Sequence, residues 1–535
     1  MPSLRFFSSA ASAVLTASLV ASASAQAPRA PQTSASRPTL VVFITVDQMR
    51  ADYFPRFARQ LTGGLGRLYR GGAVFTNAFQ DHGITETAPG HSVTLSGRFP
   101  RSTGIVMNSR GVPDAQAPLV GGGGDGASPY RFQGSSLIDW MRLDDARSRA
   151  LSVSRKDRGA ILPLGRAHQS AFWYTPDGRF TTSTYYADTL PTWVQRFNAR
   201  KIFARYAGKL WTPLLPDSAY PEPDSVRFEN GGKAYTFPHP FPATPQAVAR
   251  AFTDYPVMDS VTAQLALAGV NAMNLGRGPA PDLLAISFST TDAIGHRYGP
   301  DSKELHDQIV RLDRYVGQLI DSLYKIRDSS RIVFALTADH GVAPYPELRA
   351  EREHVPAERV DIRDAIQGLN ARFHATGTDA AVRYEEGIVT LDSAVIASRG
   401  MTLDAARALV ASTLRKVPGV ARVDDRASLA ASDTTTDFIA RRWVHMLPPT
   451  VDADFVITMD PYAYLSTVGY ATHGTPYDYD AHVPVIFYGS GVRPGRYADR
   501  ALVADMAPTL AAILGVKPTQ RLDGKARTEV LPHSH

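Results

Sequence analysis

Asp47, Asp292, His296, Asp339, His340 and His473 are spread over more than four hundred residues of a 535-residue chain, most of them at the ends of apolar runs. Carboxylate oxygens and imidazole nitrogens in this mixture suit zinc and, with less preference, manganese or magnesium. Each pair alone says little. Asp292-x-x-x-His296 is a spacing that recurs by accident, and Asp339-His340 could be a helix N-cap beside a solvated histidine. Together the six make two sets of three, and two metals about 4 Å apart clamp the attacking and leaving oxygens of an in-line displacement at phosphorus. Such a displacement needs a nucleophile, and Thr85-Glu86-Thr87-Ala88-Pro89-Gly90-His91 offers Thr87 in a Pro/Gly turn after the strand-like run Phe75–Phe79. A threonine hydroxyl is a poor nucleophile unless a metal or base deprotonates it. The bland alternative is a threonine capping a helix that starts near Pro89. Both readings can hold, because a helix N-terminus aims N–H groups and a positive dipole end at phosphoryl oxygens.

Three runs must position these groups: Leu40–Val46 stops at Asp47, Leu283–Phe288 leads to Asp292, and Ile332–Leu336 leads to Asp339. Continuous β-branched and aliphatic residues without polar alternation describe parallel strands buried on both faces. Leu305, Ile309, Leu312, Val316, Leu319, Ile320 and Leu323 form the apolar stripe of a helix between two of them. Strand, amphipathic helix and strand make a βαβ unit, so the expected fold is α/β: an open, mostly parallel sheet with helices on both faces. Ligands in such sheets bind beyond the carboxyl ends of the strands.

Arg5, the apolar Ala-rich stretch Phe6–Val20 and Ala23-Ser24-Ala25 have the three parts of a secretory signal peptide, residues 1–25. Export to the periplasm or beyond is expected, with no membrane contact after signal removal. The chain has no cysteine, so a large core must supply its stability. Lys and Arg number 57 against 51 Asp and Glu, a net charge of +6. Without basic runs carrying interleaved aromatics, nucleic acid is an improbable partner, while a mildly positive cleft favours small anionic substrates. Residues 26–37 read as a flexible lead-in, and 38–535 as one catalytic domain with two insertions. The first, about 160–250, is rich in aromatics and Pro and is expected to cap the site. The second, about 345–445, is expected to be a small α+β subdomain with a helix from Leu403 to Leu414.

The motif set resembles the alkaline phosphatase superfamily, in the threonine-nucleophile branch that holds periplasmic zinc alkaline phosphatases and nucleotide pyrophosphatase/phosphodiesterases. The resemblance runs from Val46-Asp47 to Tyr479-Asp480-Ala481-His482-Val483-Pro484. It implies two zinc ions per chain, one held by Asp292, His296 and His473, the other by Asp47, Asp339, His340 and the Thr87 oxygen. In the family's phosphomonoesterases an Asn and a Lys-x-Arg pair bind the non-bridging oxygens, and Asn108 and Lys156-Asp157-Arg158 stand in corresponding places. A monoester carries two charges on three free oxygens, so added donors favour it over a diester. Taken alone, Lys-x-Arg is more often a solvated pair and Asn108 a turn residue. Departures also inform. Sulfatases need a Cys or Ser followed by x-Pro-x-Arg, and this chain has Thr87 and His91 there. The diesterases often read Thr-x-Pro-Asn, and Gly90 replaces that Asn. The resemblance implies a phosphate monoester hydrolase acting through phosphothreonine, with the Ala88 N–H, Asn108, Lys156 and Arg158 binding the transferred group. The rivals are a phosphodiesterase with the same metals and a non-catalytic exported protein that binds metal or phosphate.

Overall fold

The computed structural model describes residues 37–122, 124–355, 359–375, 379–465 and 470–532. The expected signal segment and all of the lead-in but Arg37 lie outside the described residues. The main sheet has nine strands: β1 (Leu40–Val46), β2 (Ala73–Phe75), β3 (Ala150–Ser154), β4 (Ser170–Thr175), β5 (Arg179–Thr181), β6 (Asp282–Phe288), β7 (Ile332–Thr337), β8 (Val485–Gly489) and β9 (Gly495–Tyr497). Their order is β9-β2-β8-β7-β1-β6-β3-β4-β5. The central run β7-β1-β6-β3-β4 is parallel, and β8 and β5 are antiparallel to their neighbours. β1 is buried along its whole length, as an unalternated apolar run requires. The fold is the expected α/β class.

Register does the positioning. Thr45 of β1 lies opposite Thr337 of β7 and Ser287 of β6, and Ser287 lies opposite Ser154 of β3. Four carboxyl ends are therefore level, and the residues that follow them share one edge. The helices used below are α1 (Thr87–Thr94), α2 (Asp157–Ile161), α3 (Val257–Ala272), α4 (Thr290–Tyr298) and α5 (Lys303–Ile326). α5 starts where the Ser302 hydroxyl accepts the Leu305 N–H at 3.0 Å. Its apolar stripe, Leu305 to Leu323, is buried as expected.

Three expectations change. The run Phe75–Phe79 is two strands: Ala73–Phe75 stays in the main sheet, whereas Ala78–Phe79 pairs with Ala501–Leu502. The segment 160–250, expected as a cap, supplies no wall of the cavity at the Thr87 edge. Its residues 170–181 are β4 and β5, with Trp193 and Phe197 packed against Phe172 and Phe180, while Trp211, Tyr220 and His239 lie against the polar face of α5. There Asp307 accepts from Trp211 Nε1 at 2.6 Å and from Tyr220 Oη at 2.8 Å, while His239 pairs with Glu304 at 2.7 Å. Part of the aromatic richness thus serves a buried polar helix face. Finally, the antiparallel sheet Val382–Glu385, Ile388–Leu391, Phe455–Met459 and Val420–Asp425 takes a strand from beyond residue 445. The helix Leu403–Leu414 packs on its face through Val410 and Leu414.

Candidate functional site

The level strand ends gather the six ligand candidates. Asp47 follows β1, Asp339 and His340 follow β7, and Asp292 and His296 sit one turn apart on α4, facing the same way. His473 comes from a late loop. Asp292, His296 and His473 have ligand atoms within 4.8 Å of one another, and so do Asp47, Asp339 and His340.

The hydrogen bonds around these sets fit metal ions. His296 Nδ1 faces the Ala471 carbonyl at 2.7 Å, His473 Nδ1 faces the Thr85 carbonyl at 2.7 Å, and His340 Nδ1 faces the Gly341 carbonyl at 2.9 Å. A carbonyl only accepts, so each Nδ1 carries the proton and each Nε2 is left with its lone pair. Those Nε2 atoms point at carboxylates: His296 to Asp292 at 3.2 Å, His473 to Asp292 at 3.7 Å and His340 to Asp47 at 3.5 Å. Asp47 Oδ1 and His340 Nε2 are buried without a hydrogen bond. Buried polar groups of that kind call for a partner. Burial pushes the Asp47 carboxyl up, and Asp292 and Asp339 push it further. Against burial, Lys156 and then His296 hold Asp292 well below the usual carboxylate range. Three carboxylates in so small a volume make a field suited to cations.

Thr87 is the first residue of α1 and is buried. Lys156 enters from the end of β3 and puts Nζ 3.1 Å from Thr87 Oγ1, 2.6 Å from Asp47 and 2.7 Å from Asp292. One ammonium thus touches the hydroxyl and one carboxylate of each ligand set. Asn108 accepts the Ala88 N–H on Oδ1 at 2.9 Å, and its own N–H donates to Glu86 at 2.7 Å. This corrects the expected role of the Ala88 N–H, which is occupied by Asn108, and leaves the Nδ2 hydrogens of Asn108 as donors for a ligand. Arg158, in α2, touches neither ligand set, but its charge acts on Glu86 beside Asn108. It pairs with Asp157 at 3.4 Å, and its Nε is buried without a hydrogen bond.

Several residues carry no signal in the sequence. Gln48 donates its Nε2 to Asp292 at 3.0 Å and its backbone N–H to Asp339 at 3.1 Å, with φ at 66°. His91, one turn after Thr87, puts Nδ1 3.0 Å from Asp339 and Nε2 2.9 Å from Ser287 Oγ. The i, i+4 spacing of Thr87 and His91 is the one clue to this support. Gly90 lies where an added Cβ would come within 2.2 Å of the Asp339 carbonyl. That close approach explains why Asn is absent at this position. A cavity of about 320 Å³ opens beside Asn108, His296 and His473, and its outer wall is Tyr384, Glu386 and Trp443 of the small subdomain. Burial and then Glu386 push the Glu86 carboxyl at its rim to about 7.

Residues 41–431 match the family described as type I phosphodiesterase / nucleotide pyrophosphatase. Alkaline phosphatase PhoV of Synechococcus elongatus is 31% identical, with 94% of each chain covered. Alkaline phosphatase PafA of Elizabethkingia meningoseptica is 30% identical, over 92% of this chain and 95% of its own. The crystal structure of PafA superposes with a TM-score of 0.85 at 29% identity, covering 94% of this chain and all of PafA. A solved PafA variant in which a threonine, an asparagine, a lysine and an arginine are replaced gives 0.87. With a family match over most of its length and relatives at this identity, the chain belongs to the type I phosphodiesterase / nucleotide pyrophosphatase family, within the alkaline phosphatase superfamily.

Proposed function

We propose that this protein is an exported alkaline phosphatase that hydrolyses small-molecule phosphate monoesters through a phosphothreonine intermediate. One observation carries the reading: the Lys156 ammonium lies against both the Thr87 hydroxyl and the carboxylates Asp47 and Asp292. A cation built in at that point matches the extra charge of a monoester. The names of PhoV and PafA agree with it. The residues replaced in the PafA variant also repeat, in type and spacing, Thr87 with Asn108 and Lys156 with Arg158.

Two zinc ions, one with Asp292, His296 and His473 and one with Asp47, Asp339, His340 and Thr87, would supply the Lewis acidity that lowers hydroxyl pKa values and offsets charge on the leaving oxygen. The chain's own groups do the rest. Thr87 Oγ1 attacks phosphorus, the bond to the leaving alkoxide breaks, and water then cleaves the phosphothreonine. Asn108 Nδ2, Lys156 and Arg158 hold the non-bridging oxygens, and the N-terminal end of α1 adds its dipole. His91 and Gln48 are positioning residues that hold Asp339 and Asp292. Residues 1–25 direct export, and no helix among the described residues is long and apolar enough to cross a membrane. The family description favours one rival, a phosphodiesterase with the same machinery.

Hydrolysis of an aryl phosphate beside an aryl phosphodiester, with metal measured on the same sample, separates the two. The monoester should be preferred, with about two zinc ions per chain. Lys156→Ala with Arg158→Ala should cut monoester kcat/KM on the order of tenfold to a hundredfold per lost contact and diester kcat/KM far less. Equal losses would move the assignment to the diesterase. Thr87→Ala should abolish turnover while Thr87→Ser keeps much of it, and mass spectrometry of acid-quenched enzyme should find the phosphate on Thr87. Phosphate on any other residue overturns the mechanism.

A further inference from the structure

The helix Phe438–Met446 separates two cavities. Its Trp443 lines the one beside Thr87, whereas Arg441 and His445 line another of about 820 Å³. The walls of this second cavity carry Arg98, Arg101, Arg441, Arg500 and Arg521 against two carboxylates, Asp81 and Asp523. Both carboxylates are already engaged. Asp81 is 3% exposed and takes Arg500 at 2.7 Å, Arg441 at 3.1 Å and Arg442 at 3.3 Å. Asp523 accepts the Phe99 N–H at 2.8 Å and Arg101 at 3.1 Å. Arg442 also pairs with Asp478 at 2.9 Å, so on the cavity wall Arg441 and Arg500 share the single charge of Asp81. Among the described residues neither Arg98 nor Arg521 makes an ion pair, and the Arg98 guanidinium donates to the Gln133 carbonyl at 2.8 Å. Burial works against the Arg98 charge more than the nearby Asp523 supports it, and burial with Arg441 and Arg442 outweighs the support Asp81 gives to Arg500.

Folding thus concentrates like charges from distant parts of the chain around one concavity, and an anion bound there would relieve their repulsion. Guanidinium forks match phosphoryl oxygens bidentately, and a concave low-dielectric wall strengthens the field. The volume lies within the usual range for small-molecule sites and exceeds what one phosphate group fills. Phe99, stacked on His445 at 3.9 Å, adds a flat apolar wall beside the cations. We propose that this cavity is a second anion site, separate from the Thr87 centre, that takes a small anion carrying more than one phosphoryl group. It does not depend on the hydrolase reading. A condensed inorganic phosphate and a nucleoside polyphosphate share the required chemistry, and the test has an arm for each.

The intact, metal-loaded protein is titrated calorimetrically at physiological ionic strength with methylenediphosphonate and, separately, with β,γ-methylene ATP, neither of which releases its terminal phosphate by hydrolysis at the bridging carbon. A binding event in addition to that at the catalytic centre is expected. Arg98→Gln with Arg521→Gln should weaken it by about 100-fold or more, each lost charge-assisted contact being worth on the order of tenfold, and should leave aryl phosphate turnover unchanged. If the double variant fails to fold, Arg521→Gln alone, at an exposed position without an ion pair, serves with an expected loss of about tenfold. Tighter binding of the nucleotide analogue assigns a nucleotide through the Phe99–His445 stack, and equal binding assigns a condensed phosphate. A single binding event, or isotherms unchanged by the substitutions, overturns the proposal.

Discussion

Lys156 has two partners of opposite demand: the Thr87 hydroxyl, which it can help to ionise, and the carboxylates Asp47 and Asp292, whose charge it offsets. Asp47, Asp292 and Asp339 are all buried, at 4% exposure or less. Without metal, this ammonium is the cation in contact with both Asp47 and Asp292, Arg155 reaching Asp292 alone at 3.4 Å. Removing one partner of a buried ion pair costs about 3–5 kcal/mol, because the remaining charge stays buried and unpaired. Lys156→Ala should therefore lower the melting temperature of chelator-stripped protein well below that of stripped wild type. In protein reloaded with zinc the gap should shrink, since bound dications then offset the same carboxylates. Differential scanning calorimetry on the four samples decides it, and a gap independent of metal would show that Lys156 acts mainly through packing.

α1 approaches the strand edge so closely that the contact leaves no room for a side chain at its fourth residue. A Cβ at Gly90 would lie 2.2 Å from the Asp339 carbonyl and 2.7 Å from its carbonyl carbon, with backbone rather than a flexible side chain in the way. Gly90→Ala must push α1, and Thr87 with it, away from Asp339. Overpacking of this kind costs about 1–3 kcal/mol, and a 1 Å misplacement of a reacting group can cost about 100-fold in rate. The expected outcome is a fall in kcat on the order of 100-fold with a much smaller change in stability; wild-type kcat would show that the helix end has slack. At this scale the limits of the sequence also become physical. The strands β1, β6 and β7 are legible because parallel strands buried on both faces must be apolar throughout, and their ends point to Asp47, Asp292 and Asp339. The mouth of the cavity is not legible, because Tyr384, Glu386 and Trp443 reach it from an inserted subdomain almost three hundred residues or more beyond Thr87, with no motif to mark them. Gln48 escapes notice because its role depends on a left-handed φ just past β1. The aromatics near 160–250 mislead because covering a polar helix face and capping a site draw on the same residue types.

Across the whole molecule, the polar face of α5 is sealed by the segment before it, and the seal traps acids. Glu304 of α5 is buried and pairs with His239, and Glu229 is 1% exposed with Oε2 lacking a hydrogen bond. Burial, reinforced by Glu304 and Asp224 and only partly opposed by Arg352, pushes the Glu229 carboxyl to about 10. In the unfolded chain the same group titrates near its ordinary value of about 4.3. The folded state therefore holds a proton that the unfolded state has released. The sign follows from linkage: this contribution to stability is fully present below about pH 4 and is lost progressively as pH rises towards 10. Glu229→Gln keeps the shape and a neutral group but removes the titration. Thermal unfolding of both proteins should show little difference near pH 5, and a melting temperature for Glu229→Gln that rises relative to wild type at each step towards pH 9. A difference that stays flat, or that grows towards acid, would mean Glu229 is ionised in the fold and neutralised by Arg352.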